Sequence, residues 1–220
     1  MPRHMDKYIE KMPAECDGDL MVSVAHGVAW QRDMDAKPVA YDDKYFDNYQ
    51  RLEGQEIARN LNTARVGLVN RWIGAGARMV DVGVGSGEFI KTRGGQTYGT
   101  DINPKAGHWL KTVDRWADDL SVFESFSFWD VIEHLRDPYH TLRNVPVPGH
   151  LFTSLPIFED ITKVRQSRHY KPGEHLYYWT EAGFVSWMGL YGFNLLERND
   201  DETRAGRDSI VSFAFRREWA

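Results

Sequence analysis

The sequence predicts a doubly wound α/β fold, a mostly parallel sheet closed by an antiparallel hairpin. Three observations carry this. Short apolar runs alternate with helical patterns from residue 79 onward. A glycine-rich turn follows the first of those runs. The last two runs are joined by a polar loop with no helical pattern between them, which suits antiparallel neighbours rather than a crossover.

The elements follow in order. Leu20–Ala25 reads as a strand and His26-Gly27 as a turn into Val28-Ala29-Trp30, a candidate hairpin. Asp42–Asn70 reads as a helix. From just before its start Tyr41, Tyr45 and Tyr49 recur every fourth residue, as do Ile57, Leu61 and Arg65 within it. Gly74-Ala75-Gly76 breaks the pattern. Met79–Val84 is the apolar run of a buried parallel strand. A brief helix over Glu88–Thr92 and a second strand over Thr97–Ile102 come next. Pro104 suits the first turn of a helix carrying Trp109, Leu110, Val113 and Trp116. Val122–Trp129 is a strand ending at Asp130, and Pro138–Asn144 is a short helix. His150–Phe158 is a strand that closes on Pro156. Thr180 is the expected N-cap of a helix over Glu181–Leu190. Phe193–Arg198 and Ser209–Arg216 are the closing strands, joined by a polar loop. We expect residues 1–75 to form an N-terminal hairpin and helical covering part, and residues 76–220 the core.

Composition narrows the function classes. The chain has 220 residues, 27 Lys+Arg against 32 Asp+Glu, and a formal net charge of -5. That acidity argues against binding long duplex nucleic acid. A lone cysteine, Cys16, excludes an internal disulfide framework and a cysteine-based zinc site. No run approaches the roughly 18 apolar residues of a membrane span, and the first residues lack the apolar stretch of a signal peptide. The expected location is cytoplasmic.

The first strand-to-helix turn, Asp81-Val82-Gly83-Val84-Gly85-Ser86-Gly87, leaves room for close backbone approach by a ligand. Asp101, at the end of the next strand, can accept hydrogen bonds from both hydroxyls of a ribose. The pair points to an adenosine-type cofactor. A dinucleotide would place its pyrophosphate on this turn, but Glu88 stands where the third fingerprint glycine belongs and would repel it. S-adenosylmethionine, with its ammonium and sulfonium, suits acidic surroundings better.

On these residues the sequence resembles the class I S-adenosylmethionine-dependent methyltransferases. Val80–Gly87 looks like their first motif, and Thr100-Asp101-Ile102-Asn103-Pro104 like the acidic end of their second strand. Phe128–Pro138 and Gly173–Thr180 are similar to segments of a subgroup containing quinone-biosynthesis O-methyltransferases. The resemblance implies a Rossmann-like fold. It implies that Gly83, Gly85 and Gly87 line the methionine part of the cofactor and that Asp81 helps bind its ammonium. Asp101 would hold the ribose and Ile102 would pack on the adenine. Trp129 and Asp130 would stand near the transferred methyl. One departure is visible: the stretch from Asp101 to Phe128 is short for a helix, a strand and another helix, so the family's third strand is reduced or missing. Asp118 or Asp119 is a candidate for its adenine-binding acid.

The implied function is methyl transfer to an oxygen or nitrogen of a small molecule. A non-catalytic S-adenosylmethionine-binding accessory protein is the alternative, and a nicotinamide oxidoreductase a further one. If the acceptor must lose a proton, His134 and His175 are the candidate catalytic bases. Five of the 8 histidines fall between residues 134 and 175, but their spacing matches no metal-ligand pattern, so no metal is expected. The basic segment Lys163–Lys171 suggests an anionic acceptor, with a solvated loop as the bland reading.

Overall fold

The computed structural model describes residues 5–35 and 56–219. The expected Tyr41, Tyr45 and Tyr49 face, and the first part of the expected helix, lie outside the described residues. In chain order the elements begin with β1 (Glu15–Asp17), β2 (Leu20–Ser23), β3 (Val28–Gln31), α1 (Glu56–Ile73), β4 (Met79–Val82) and α2 (Glu88–Arg93). Next come β5 (Thr97–Thr100), α3 (Pro104–Thr112), β6 (Ser125–Trp129), α4 (Pro138–Leu142) and β7 (Gly149–Pro156). The chain closes with β8 (Tyr177–Trp179), α5 (Glu181–Gly189), β9 (Phe193–Asn199), α6 (Asp201–Arg204) and β10 (Ile210–Arg217).

The larger sheet runs β5-β4-β6-β7-β10-β9. β4 lies parallel to β5 and β6, and β6 parallel to β7. β10 is antiparallel to both β7 and β9. The chain leaves β4 toward one edge, forms β5, and returns to the other side of β4 as β6. That reversal opens a crevice beyond the carboxyl ends of β4 and β6, where ligands bind in sheets of this kind. Side chains alternate across the sheet. Ala214 packs with Leu68 and Val69 of α1 on one face, while Phe213 and Phe215 pack with Phe184 and Trp187 of α5 on the other.

The reduced third strand takes a definite form. Between α3 and β6 the chain makes one parallel bridge to β5, at Gly99 and Trp116. Gly99 donates to the Arg115 carbonyl at 2.8 Å, and Ala117 donates to the Gly99 carbonyl at 2.9 Å. Trp116 therefore belongs to the remnant of a strand and not to the helix in which the periodicity placed it. The helix stops at Thr112, and Asp114 then turns the chain with a φ of 56°.

Two further elements differ from expectation. The link between the closing strands contains α6, whose Glu202 is fully buried. A polar composition there reads as loop, but the helix turns its acid inward onto two arginines. Residues 20–25 do not form one strand either: β2 ends at Ser23, and Val24–His26 is a 3-10 turn. The hairpin itself is present, with β2 antiparallel to β3. Among the described residues no helix is long and apolar enough to cross a membrane.

β1, β2, β3 and β8 make a second sheet, antiparallel throughout. β8 enters it from far along the chain, pairing Trp179 with Val28. The two sheets share a core: Val28, Trp30, Tyr177 and Trp179 belong to the same cluster as Phe126, Phe128, Phe213 and Phe215. Trp179 is its hinge, 5.5 Å from the Phe184 ring and 5.1 Å from that of Trp187. Trp179→Ala should cost about 3–5 kcal/mol of stability, the usual price of truncating a buried aromatic. Urea unfolding measures this, and a cost below about 1 kcal/mol would mean that the second sheet packs independently.

Candidate cofactor and acceptor site

A cleft of about 590 Å³ lies at the reversal of strand order. The tips of β4, β5 and β6 form its floor, and Ile57, Leu61 and Arg65 of α1 form one wall. α1 reaches the cleft because Asn62, Arg65 and Val69 fall on one buried face at helical spacing.

The glycine turn leads from β4 into α2. Gly83 and Gly85 line the cleft, with φ of 77° and 54°, left-handed values that a side chain resists. A Cβ on Gly85 would meet nothing within 4 Å, so the backbone there faces open space that a ligand can enter. Gly87 does not line the cleft, contrary to expectation. A Cβ there would stand 2.2 Å from the Trp109 ring, so this glycine serves the packing of α2 on α3.

The two expected acids face the cleft from neighbouring strands. Asp101 accepts from Gly85 N–H at 3.3 Å and from Asn103 N–H at 2.7 Å. These bonds tie the end of β5 to the glycine turn, while burial pushes its carboxyl above the ordinary range. Asp81 is 1% exposed and accepts from the Ser127 hydroxyl at 2.6 Å. Burial pushes its carboxyl up to about 7. Ile102 borders the cleft at 81% exposure, open for a flat ring to cover. Of the two suggested adenine acids, Asp119 instead caps a 3-10 turn through Ser121, and neither it nor Asp118 is among the lining residues.

Trp129 and Asp130 also line the cleft, but Asp130 has other business. Its carboxylate accepts from Arg207 at 2.6 and 3.0 Å and from Arg65 at 2.9 Å. Glu202 completes the set, accepting from Arg65 at 2.7 Å and from Arg207 at 2.8 Å. Burial alone would raise the Asp130 carboxyl, but Arg207 and Arg65 hold it well below the usual carboxylate range. Arg65 also lies over the Trp129 ring, 4.9 Å from its centre. Sequence reasoning missed Arg65, Glu202 and Arg207 as site residues. Arg65 had a signal, its helical spacing with Ile57 and Leu61; the other two sit in a stretch that reads as loop.

The two candidate bases are unequal. His134 lines the cleft, whereas His175 does not. Their rings meet edge to face with centres 4.8 Å apart. Burial lowers both imidazoles, His175 to about 3, so each is neutral near pH 7. Glu133 joins them: one ligand atom from each of Glu133, His134 and His175 lies within 4.8 Å of the others. In the basic segment Arg165 ties the chain to β1 and the turn after it, while Lys163 and Lys171 make local pairs. Arg165 binds Asp17 and Asp19, Lys163 pairs with Asp160 at 3.1 Å, and Lys171 with Glu174 at 3.2 Å.

Comparison with known proteins bears on this geometry. A family model described as a methyltransferase domain matches residues 40–198. No curated protein matches the chain. Among solved structures, a possible histamine N-methyltransferase from Thermotoga maritima superposes with a TM-score of 0.56 at 14% identity, over 80% of this chain and 97% of that one. Magnesium protoporphyrin IX methyltransferase from Synechocystis, with bound S-adenosylhomocysteine, gives 0.55 at 18% identity over 80% and 95%. The 1,6-didemethyltoxoflavin-N1-methyltransferase of Burkholderia thailandensis gives 0.54 at 13% identity over 94% and 100%. These likenesses establish a Rossmann-like methyltransferase fold.

The paired charges at the cleft yield a stability prediction. Glu202→Gln keeps the shape but leaves two guanidinium groups facing one carboxylate. It should destabilise the protein by about 3–5 kcal/mol, as breaking a buried ion pair does. Thermal and urea unfolding measure the loss, and a change within about 0.5 kcal/mol would show that removing one carboxylate leaves no costly uncompensated charge there.

Proposed function

The chain belongs to the methyltransferase-domain family, and from that premise we propose that it moves a methyl group from S-adenosylmethionine to an oxygen or nitrogen of a small molecule. The observation that carries the cofactor is Asp101 facing the glycine turn across the cleft, with open space over Gly85. When bound, S-adenosylmethionine supplies a methyl carbon already activated by its sulfonium.

The chain's own residues then bind and orient. Asp101 accepts from the ribose hydroxyls. Asp81 faces the ammonium. Gly83 and Gly85 let the methionine part lie against the backbone. Ile102 covers one face of the adenine. Trp129 and Asp130 border the region of the transferred methyl. Because the methyl is already activated, catalysis here is mainly positioning and exclusion of water. α1 contributes Ile57 and Leu61 to the wall that does this. On this reading α1, within the expected covering part, closes one side of a site built by residues 76–220. His134, neutral and in the cleft wall, is placed to accept a proton from the acceptor. His175 acts through it as a positioning residue.

The acceptor we propose is neutral or cationic rather than anionic. The cations of the basic segment at Lys163, Arg165 and Lys171 are paired with carboxylates. The arginines of the cleft, Arg65 and Arg207, are matched by Asp130 and Glu202.

Two measurements test the cofactor site. Asp101→Ala should weaken S-adenosylhomocysteine binding by about 3 kcal/mol, roughly a hundredfold, from losing two charge-assisted hydrogen bonds. Calorimetric titration reads this, and unchanged affinity in a folded variant would remove the assignment. The second concerns Asp81, whose carboxyl is half charged near pH 7. A bound ammonium favours the charged form, so affinity should rise as pH goes from 6 to 8, with a proton released on binding at the lower pH. Titration in buffers of different ionisation heat detects that proton. Asp81→Asn should abolish its release; release that persists in this variant would assign the titration to another group.

A further inference from the structure

We propose that Glu133, His134 and His175 form a binding site for one divalent transition-metal ion in the wall of the cleft. Two imidazoles and one carboxylate are a donor set that suits zinc, manganese or cobalt better than magnesium. Their ligand atoms already lie within 4.8 Å of one another, with His134 Nε2 3.8 Å from Glu133 Oε1. Tetrahedral zinc, with bonds of about 2.0–2.1 Å, would bring such atoms to roughly 3.4 Å. The remaining adjustment is within reach of small side-chain rotations.

The second observation is an unanswered demand. Glu133 is 1% exposed and His175 is 4% exposed. Among the described residues, neither Glu133 carboxylate oxygen nor His175 Nδ1 has a hydrogen-bond partner. Buried polar atoms are almost always paired, and here three unpaired acceptors sit side by side. A cation answers all of them at once, and a hydrogen-bond donor answers at most one or two.

The backbone holds the donors in place from two parts of the chain. Glu133 and His134 come on the 3-10 turn Ile132–His134 that follows β6. His175 comes on the segment entering β8. The two are joined directly, because Leu176 N–H donates to the Glu133 carbonyl at 2.7 Å. Sequence spacing hides such a site, since its third donor arrives through the junction of the two sheets.

Three protein donors leave a tetrahedral ion one open position. His134 also lines the cleft, so that position is next to the acceptor region. With the ion bound, His134 would be a ligand rather than the base. The ion would then lower the pKa of an acceptor hydroxyl at its open position, and the proton would pass to water. Ion binding does not rest on the methyl-transfer reading and is measured without turnover.

The test uses the full chain stripped of metal with a chelator and titrated with zinc chloride by calorimetry. One equivalent should bind, with a dissociation constant below about 1 μM. Glu133→Gln and His175→Gln should each weaken zinc by more than the roughly 10–100-fold that loss of an outer-shell partner costs. Their affinity for S-adenosylhomocysteine, measured without metal, reports that they remain folded. Zinc binding unchanged in both variants, or absent from the wild-type chain, would overturn the site. Cobalt(II) gives a reading on the wild-type chain alone. Intense visible bands of a four- or five-coordinate ion support the proposal, and the weak spectrum of hydrated cobalt at every ratio refutes it.

Discussion

The arrangement of the cleft depends on four charges. Arg65 stands on α1, Asp130 follows β6, Glu202 lies on α6, and Arg207 precedes β10. Each guanidinium meets both carboxylates, so two positive and two negative groups close on themselves. Any three of them would leave an uncompensated charge in a poorly solvated place, which is far more costly than the intact set is favourable. The network is therefore a condition on geometry rather than a source of net stability. It requires α1, the end of β6 and the terminal strand pair to arrive together. It also holds the carboxylate of Asp130, a residue with φ 55° whose N–H donates to the Ser154 carbonyl at 2.9 Å. The turn that carries Glu133 and His134 starts from that fixed point.

How much of this could be read from the sequence follows from which interactions are local. The strands β4, β6 and β7 are short runs with nearly every residue buried and are ended by turns, which marks them directly, while β5 at the sheet edge alternates buried and half-buried residues. The glycine turn and Asp101 are equally local, because backbone approach needs glycine and a ribose needs an acid after the next strand. Gly87 shows the limit: its residue type was right for a reason outside the ligand, the Trp109 ring. Trp116 shows another. Four-residue spacing from Trp109 through Val113 is helical in the sequence, yet the helix ends at Thr112 and the tryptophan bridges to Gly99.

What the sequence concealed is mostly tertiary. β8 is three residues long and has meaning only beside β3, with about 150 residues of chain between them. α6 occupies a polar stretch because its acid meets the buried Arg65, 137 residues away in the chain, and the half-buried Arg207, five residues on and beyond the helix end. The basic run at Lys163–Lys171 reads as either a recognition loop or a solvated one, although Asp160 and Glu174 flank it, because the acids that meet Arg165 are elsewhere. Asp17 and Asp19 are supplied by the second sheet, whose presence the run gave no sign of.

The electrostatics of the cleft follow from the acids and arginines that line it. Among its described lining residues, Asp81, Glu88, Asp101 and Asp130 are acids, and Arg65 and Arg207 are the guanidinium groups. Asp130 and Glu202 already satisfy both arginines, so Asp81, Glu88 and Asp101 set the character of the remaining surface. Burial drives Asp81 and Asp101 toward the protonated form, and it does the same to Glu133 in the adjoining wall, with the charge of Asp130 adding to the effect. A carboxyl group held in that condition binds a cation with an advantage that a solvated one lacks, since the ion supplies what water does not. A sulfonium and an ammonium in the cleft, and a divalent ion beside His134, are the same solution applied at two places. The fold places its acids where solvent is scarce and leaves it to positively charged ligands to complete them.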